Sequence, residues 1–247
     1  MITTPILLYV LAVLFVATIF RSGFGFGEAL VAVPLLAFRL PVATAAPLAV
    51  AVSITVAAIV VSQDWRHIHV RSAGGLLLAT LLGLPVGLLL LARANEHAIK
   101  ILLALFLISF STWLLTSGKK LRLDQDHRGW LFSCGFAAGL LGGAFGMNGP
   151  PLVIYGALRR WSPQHFRATL QGYFLPASIC GLVGFILTGL WTPMLTRLYL
   201  LSLPLVIVAT LIGRAINRRL SGHSFLTYLY LALLANGLLL LLRTCFS

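Results

Sequence analysis

Charge is what this sequence has least of. Only 9% of its 247 residues are charged, and Asp and Glu contribute just five, whereas a soluble domain carries about 25% charged residues. Too few ionic groups remain to cover a water-facing surface, and 60% of the residues are hydrophobic, so the chain is an integral membrane protein. Cysteine is scarce too. Cys134, Cys180 and Cys245 lie in apolar segments without CxxC spacing, which leaves buried, inert thiols as the expectation. No GxSxG, HExxH or P-loop pattern occurs, and the glycine-rich stretch GFGFGEAL follows no strand, so no enzyme class and no cofactor is indicated. The first apolar run lacks a basic flank and a small-residue cleavage site; the first helix is therefore expected to be kept.

What is present is hydrophobic length. Six runs, roughly 42–62, 72–92, 97–116, 168–190, 193–213 and 224–242, have the about 20 apolar residues of a single crossing. Residues 4–38 and 129–158 are also apolar but are interrupted, at RSGFGFGE and GGAFGMNGPP. A straight helix of 35 residues, the length of the first segment, would measure about 52 Å against a hydrocarbon core of about 30 Å. Two full crossings would need about 40 residues and a turn. Each interrupted segment is therefore either one broken crossing or a hairpin that returns to its own side.

The basic residues decide between these. The net charge of +13 resembles a nucleic-acid signature, but the Lys and Arg residues sit at the ends of apolar runs, where they anchor and orient membrane helices; no nucleic-acid partner is expected. If both interrupted segments cross once, the two faces receive 9 and 8 basic residues; if both are hairpins, they receive 5 and 12. Cytoplasmic loops are enriched in Lys and Arg, which favours the hairpins. Both termini, Arg39, Arg93 and Arg197 then lie outside a bacterial-type inner membrane. The loops around 63–71, 117–128, 159–167 and 214–223 lie inside.

A hairpin plus three crossings is an odd number of passages, so a second copy must start from the opposite face. That copy is legible: GFGEALVAVP at 25–34 lies over GMNGPPLVIY at 146–155 with an offset of 121 residues. Each stretch follows a short apolar helix, precedes a half-helix, and leads through a basic turn into a long crossing. The expected fold is an all-α membrane protein, a polytopic helical bundle of two inverted repeats, each a broken-helix hairpin plus three transmembrane helices. Residues 1–118 form the first repeat, 119–128 a cytoplasmic linker and 129–247 the second repeat. Such repeats describe many secondary transporters, whose substrate sits where the breaks meet. Irregular backbone survives at membrane depth only where protein, water or a ligand covers it. Half-helices starting near Glu28 and Pro151 would point free N–H groups and positive dipole ends at that place, which suits an anion.

The two signatures, GFGFGEALVAVP and GLLGGAFGMNGPPLVIY, resemble those of the sulfite exporter TauE/SafE family, in which a glycine cluster followed by small apolar residues and a proline stands once in each half. The resemblance covers essentially the whole chain. It implies a polytopic permease, by its family name an exporter, for sulfur-containing or other small organic anions. Glu28 and Asn148-Gly149-Pro150 stand where commoner members have runs of glycine.

The candidate substrate-binding residues are Arg21, Gly25, Gly27, Glu28, Gly146, Asn148, Gly149 and Gln171. Arg21 and Glu28 are the only charges placed deep in the membrane, where a charge is costly and has a partner or a task. Either Arg21 binds an anionic head group while Glu28 carries a proton, or the two form a structural pair, or Arg21 snorkels to the interface. Asn148 either donates to a substrate oxygen or caps the second half-helix. For Gln171, Ser53 and Thr55, helix–helix hydrogen bonding is the default and substrate contact the alternative. The clusters Asp64/His67/His69 and Asp124/Asp126/His127 read as solvated loop faces, with no metal site expected. The expected partners are a small anionic substrate and membrane lipid, and the sequence leaves a homo-oligomer open. Two other function classes share the composition: a non-transporting assembly or accessory protein, disfavoured by the lack of any long loop, and a passive anion channel.

Overall fold

The computed structural model describes residues 4–64, 70–117, 128–159, 163–217 and 223–246. Among them the chain is helical throughout, with no strand: α1 (Thr4–Phe24), α2 (Glu28–Leu36), α3 (Val42–Asp64), α4 (Val70–Arg93), α5 (Glu96–Ser117), α6 (Arg128–Phe145), α7 (Gly149–Leu158), α8 (Pro163–Leu187), α9 (Pro193–Asn217) and α10 (His223–Cys245). A backbone in lipid must satisfy its own hydrogen bonds, which a helix does within one segment. The same rule tolerates the prolines inside α2, α3, α4, α8 and α9 (Pro34, Pro47, Pro85, Pro176 and Pro204). Among the described residues, five stretches are long and apolar enough to cross a bilayer: Thr4–Gly23, Val42–Ser62, Gly74–Arg93, Glu96–Thr116 and Pro193–Ile216. Together with the shorter apolar helices Gly172–Leu187 and Leu233–Cys245, they make this a multi-pass membrane protein.

One expectation needs correcting. The helix before the first glycine break is not short: α1 has 21 residues, about 31 Å at the helical rise, enough for a bilayer by itself. Its counterpart α6 has 18. The half-helices α2 and α7, at 9 and 10 residues, are the short members. Each interrupted segment is thus a long helix followed by a half-length one. α7 also begins two residues earlier than expected, at Gly149.

Packing is dominated by four helix pairs: α4 on α6, α1 on α9, α5 on α10 and α3 on α8. Exchanging α1–α5 for α6–α10 turns the first pair into the second and leaves the other two unchanged. The α4–α6 contact is made by small residues, which let helix backbones approach in lipid. A Cβ on Gly83 or Gly87 of α4, or on Gly139 or Gly143 of α6, would run into backbone of the facing helix. Thr80 of α4 ties this pair to α8, since its Oγ1 donates to the Gly135 carbonyl (2.9 Å) and shares a hydrogen bond with the buried Tyr173 hydroxyl (2.6 Å). Thr55 behaves as the helix–helix bond expected of it, pairing with Tyr199 of α9 at 2.7 Å.

Three contacts gather one end of the bundle. Glu96 Oε1 accepts the Val42 N–H at the start of α3 (3.0 Å) and pairs with Lys100 (3.3 Å). The Arg243 guanidinium lies over the Phe38 ring at 5.7 Å. Outward-facing Leu78, Leu82, Leu200, Leu211, Leu239 and Leu242 are exposed on the bundle's exterior, the apolar surface that lipid covers.

Of the cysteines, Cys134 is buried and Cys180 half-buried, but Cys245 is exposed at the end of α10, contrary to the expectation that all three are buried. The His and Asp clusters cannot be placed: residues 65–69 and 118–127 lie outside the described residues, as does the side chain of Asp64.

Candidate functional site

The two glycine breaks face the same cavity. α1 ends at Phe24, and the chain turns through Gly25 (φ 85°) and Gly27 (φ 96°) into α2. α6 ends at Phe145 and turns through Gly146 (φ 68°) into α7. A side chain is strained in this left-handed backbone, so Gly27 and Gly146 permit turns that other residues would resist. Gly146 also lies against α3, where a Cβ would crowd the Ala46 carbonyl and Val50. The first N–H groups of α2 and α7 have no acceptor within their own helices, and both helix starts line the cavity.

The cavity encloses about 360 Å³ of atom-free space, its open side included. Gly27 to Leu30 line it from the first break, Gly146 to Pro150 from the second, and Ser53, Phe174 and Ser178 from the crossing helices α3 and α8. Arg21 and Glu28 are its charged lining residues. Their side chains are 4% and 1% exposed, and Arg21 Nη1 donates to Glu28 Oε2 at 3.0 Å. The same Nη1 donates to Ser53 Oγ. Thr18 Oγ1 donates to the other carboxylate oxygen, Glu28 Oε1, at 3.2 Å. The guanidinium carbon lies 5.2 Å from the centre of the Phe174 ring, within range of a cation–π contact. Nε and Nη2 of Arg21 have no hydrogen-bond partner.

The candidate residues thus fall as follows. Arg21, Gly27, Glu28, Gly146, Asn148 and Gly149 line one cavity, although the two glycine breaks are more than a hundred residues apart in sequence. Gly25 shapes the first turn without lining the cavity. Gln171 belongs to α8, but its side chain lies outside the described residues. Arg21 does not snorkel, because its burial keeps it from any outer surface. It sits in the last turn of α1, not at the tip of the turn. Asn148 does not cap α7 through Oδ1, which is buried and accepts no hydrogen bond. That oxygen rests on the bare Cα of Gly142.

Sequence reasoning passed over Phe26, Met147, Phe174 and Ser178 as site residues. An isolated aromatic or serine in an apolar run reads as ordinary helix packing. The one available signal was the four-residue interval between Phe174 and Ser178, which puts both on one face of α8. Ser53, weighed only as an alternative, lines the cavity and holds Arg21.

Two comparisons bear on these residues. A family model described as Sulfite exporter TauE/SafE matches residues 9–240, a stretch that holds both breaks and the cavity. A protein of Cupriavidus necator (strain ATCC 17699), described as a probable sulfite/organosulfonate exporter, is 28% identical over 195 residues, covering 78% of this chain and 76% of that protein. No solved structure matches.

Proposed function

Since the chain belongs to the sulfite exporter TauE/SafE family, a family of membrane transporters, we propose that it carries a small sulfur-containing or organic anion, sulfite or a sulfonate, out across a bacterial inner membrane. The observation that carries this reading is the shared cavity, where two glycine breaks from distant parts of the chain meet around a buried arginine. Apart from the Glu28 carboxylate, which Arg21 holds, the polar groups that line it suit a negative guest: a guanidinium, the N-terminal N–H groups of two half-helices, and the side-chain amide of Asn148. Neutral and apolar groups complete the wall, so an anion would be desolvated and its contacts strengthened.

Transport would proceed by alternating access, with α1–α5 and α6–α10 as inverted repeats. The helix pairs that interchange when the two halves are swapped support that reading, as expected of two copies of one unit. The inverted sense itself is testable through Arg39 and Arg159. In a background with Cys245→Ser, to silence the exposed native thiol, Arg39→Cys should react with an impermeant maleimide from outside the cell and Arg159→Cys only from inside. Reaction of both from one face would remove the inverted repeat.

Proton coupling fits the same cavity. An ionised Glu28 at the start of α2 opposes an anion, and its protonation would lift that repulsion. Substrate flux in liposomes should therefore respond to an imposed proton gradient, and Glu28→Gln should abolish that response.

The test of the reading as a whole is efflux of sulfite and taurine from liposomes carrying the purified full chain, compared with Arg21→Ala. Loss of efflux in the variant supports it. Equal efflux from wild type, Arg21→Ala and protein-free liposomes would remove it.

A further inference from the structure

We infer that Arg21 holds Glu28 and the anionic guest simultaneously, and that this makes the cavity select singly charged oxyanions with two adjacent oxygens over dianions. The inference rests on the anion-transport reading above and narrows its substrate class.

A guanidinium presents five N–H donors in one plane. In this site the bonds to protein cluster at a single nitrogen: Nη1 serves both Glu28 Oε2 and Ser53 Oγ. Nε and Nη2, which together form the side edge of the fork, serve no protein group in a residue only 4% exposed. That edge is the one that matches two oxygens of a carboxylate or sulfonate with parallel hydrogen bonds. Glu28 does not have to leave for it to be used. The carboxylate is held twice, by Arg21 and by Thr18, and neither bond uses Nε or Nη2. The Phe174 ring, its centre 5.2 Å from the guanidinium carbon, covers it with an apolar neighbour.

Charge then sets the selectivity. Arg21 and Glu28 are the charged residues of the lining and cancel. Ser53, Asn148 and Ser178 add dipoles but no cation. One guest charge meets a neutral pair, a forked donor edge and two helix starts. A second guest charge would meet no further cation among the described lining residues, and in a buried site each unscreened charge is costly. Phe26, Leu30, Met147 and Pro150 line the remainder, an apolar wall suited to the carbon end of a short sulfonate.

The test is calorimetric titration of the detergent-purified full chain with methanesulfonate and with sulfate, two sulfur oxyanions of one and two charges at neutral pH. Methanesulfonate should bind tighter by about tenfold or more. Arg21→Lys, which keeps the charge but removes the fork, should weaken methanesulfonate about tenfold or more. Glu28→Gln, which removes the negative partner, should narrow the preference for methanesulfonate over sulfate. Equal binding of the two anions by wild type, full retention of affinity in Arg21→Lys, or an unchanged preference in Glu28→Gln would each overturn the inference while leaving anion transport standing. Binding of neither anion, together with no sulfite or taurine efflux, would overturn the transport reading and this inference with it.

Discussion

Asn148 Oδ1 lies directly on the Cα of Gly142, six residues back across the α6–α7 break, so closely that a Cβ on Gly142 would collide with it. The missing side chain of one residue therefore fixes the pose of the other. Gly142→Ala should push the Asn148 amide out of its seat, with an overpacking loss of about 1–3 kcal/mol. Thermal unfolding in detergent would register it. In the double variant Gly142→Ala/Asn148→Ala the colliding oxygen is gone and most of the stability should return. A double variant no more stable than Gly142→Ala would show that the two residues are not coupled in this way.

The Arg21–Glu28 pair predicts asymmetric mutational costs. Removing either partner leaves a buried charge uncompensated, so Arg21→Met and Glu28→Met should each lose about 3–5 kcal/mol. Removing both leaves no charge in the cavity, and Arg21→Met/Glu28→Met should recover most of that loss while failing to transport. Comparison of melting temperatures with liposome efflux separates the two effects, and a double variant as unstable as the sum of the singles would count against the pair.

Close packing of α4 on α6 makes glycine position decisive. Gly139→Ala places a methyl against the Thr80 carbonyl of the facing backbone, and the helices must part to admit it. A loss of about 1–3 kcal/mol is expected. Gly74, on the same α4, has nothing within 4 Å of its Cβ direction; Gly74→Ala should be neutral or stabilising by up to about 1 kcal/mol from helix propensity. Melting curves of the two variants in one detergent should shift unequally, Gly139→Ala alone downward.

Tyr173→Phe deletes one hydroxyl of the α4–α6–α8 junction. Thr80 keeps its donation to backbone carbonyls of Leu76 and Gly135, so no buried group is orphaned. The cost should be modest, about 0.6–1 kcal/mol. Thr80→Val, which strips the junction of its central hydroxyl and leaves the Tyr173 oxygen unpaired, should cost more in the same unfolding assay.

The amino-acid order settled what depends on local composition. Apolar length dictated membrane helices because lipid penalises any unpaired backbone. The runs at 42–62, 72–92 and 97–116 match α3, α4 and α5 within a few residues. Glycine clusters marked both breaks because only glycine accepts the left-handed turns at Gly27 and Gly146. The rarity of acid made Glu28 conspicuous beside Arg21. Tertiary structure alone decided the rest. Helix α1 exceeds its expected length because hydropathy does not reveal where a helix stops before a glycine-rich turn. Which face of α3 and α8 meets the breaks follows from close packing of glycine-bearing helices, a property of pairs in space that no single segment encodes. That packing brings Ser53 and Phe174 to Arg21, puts Ser178 in the same lining, and joins two turns over a hundred residues apart into one cavity.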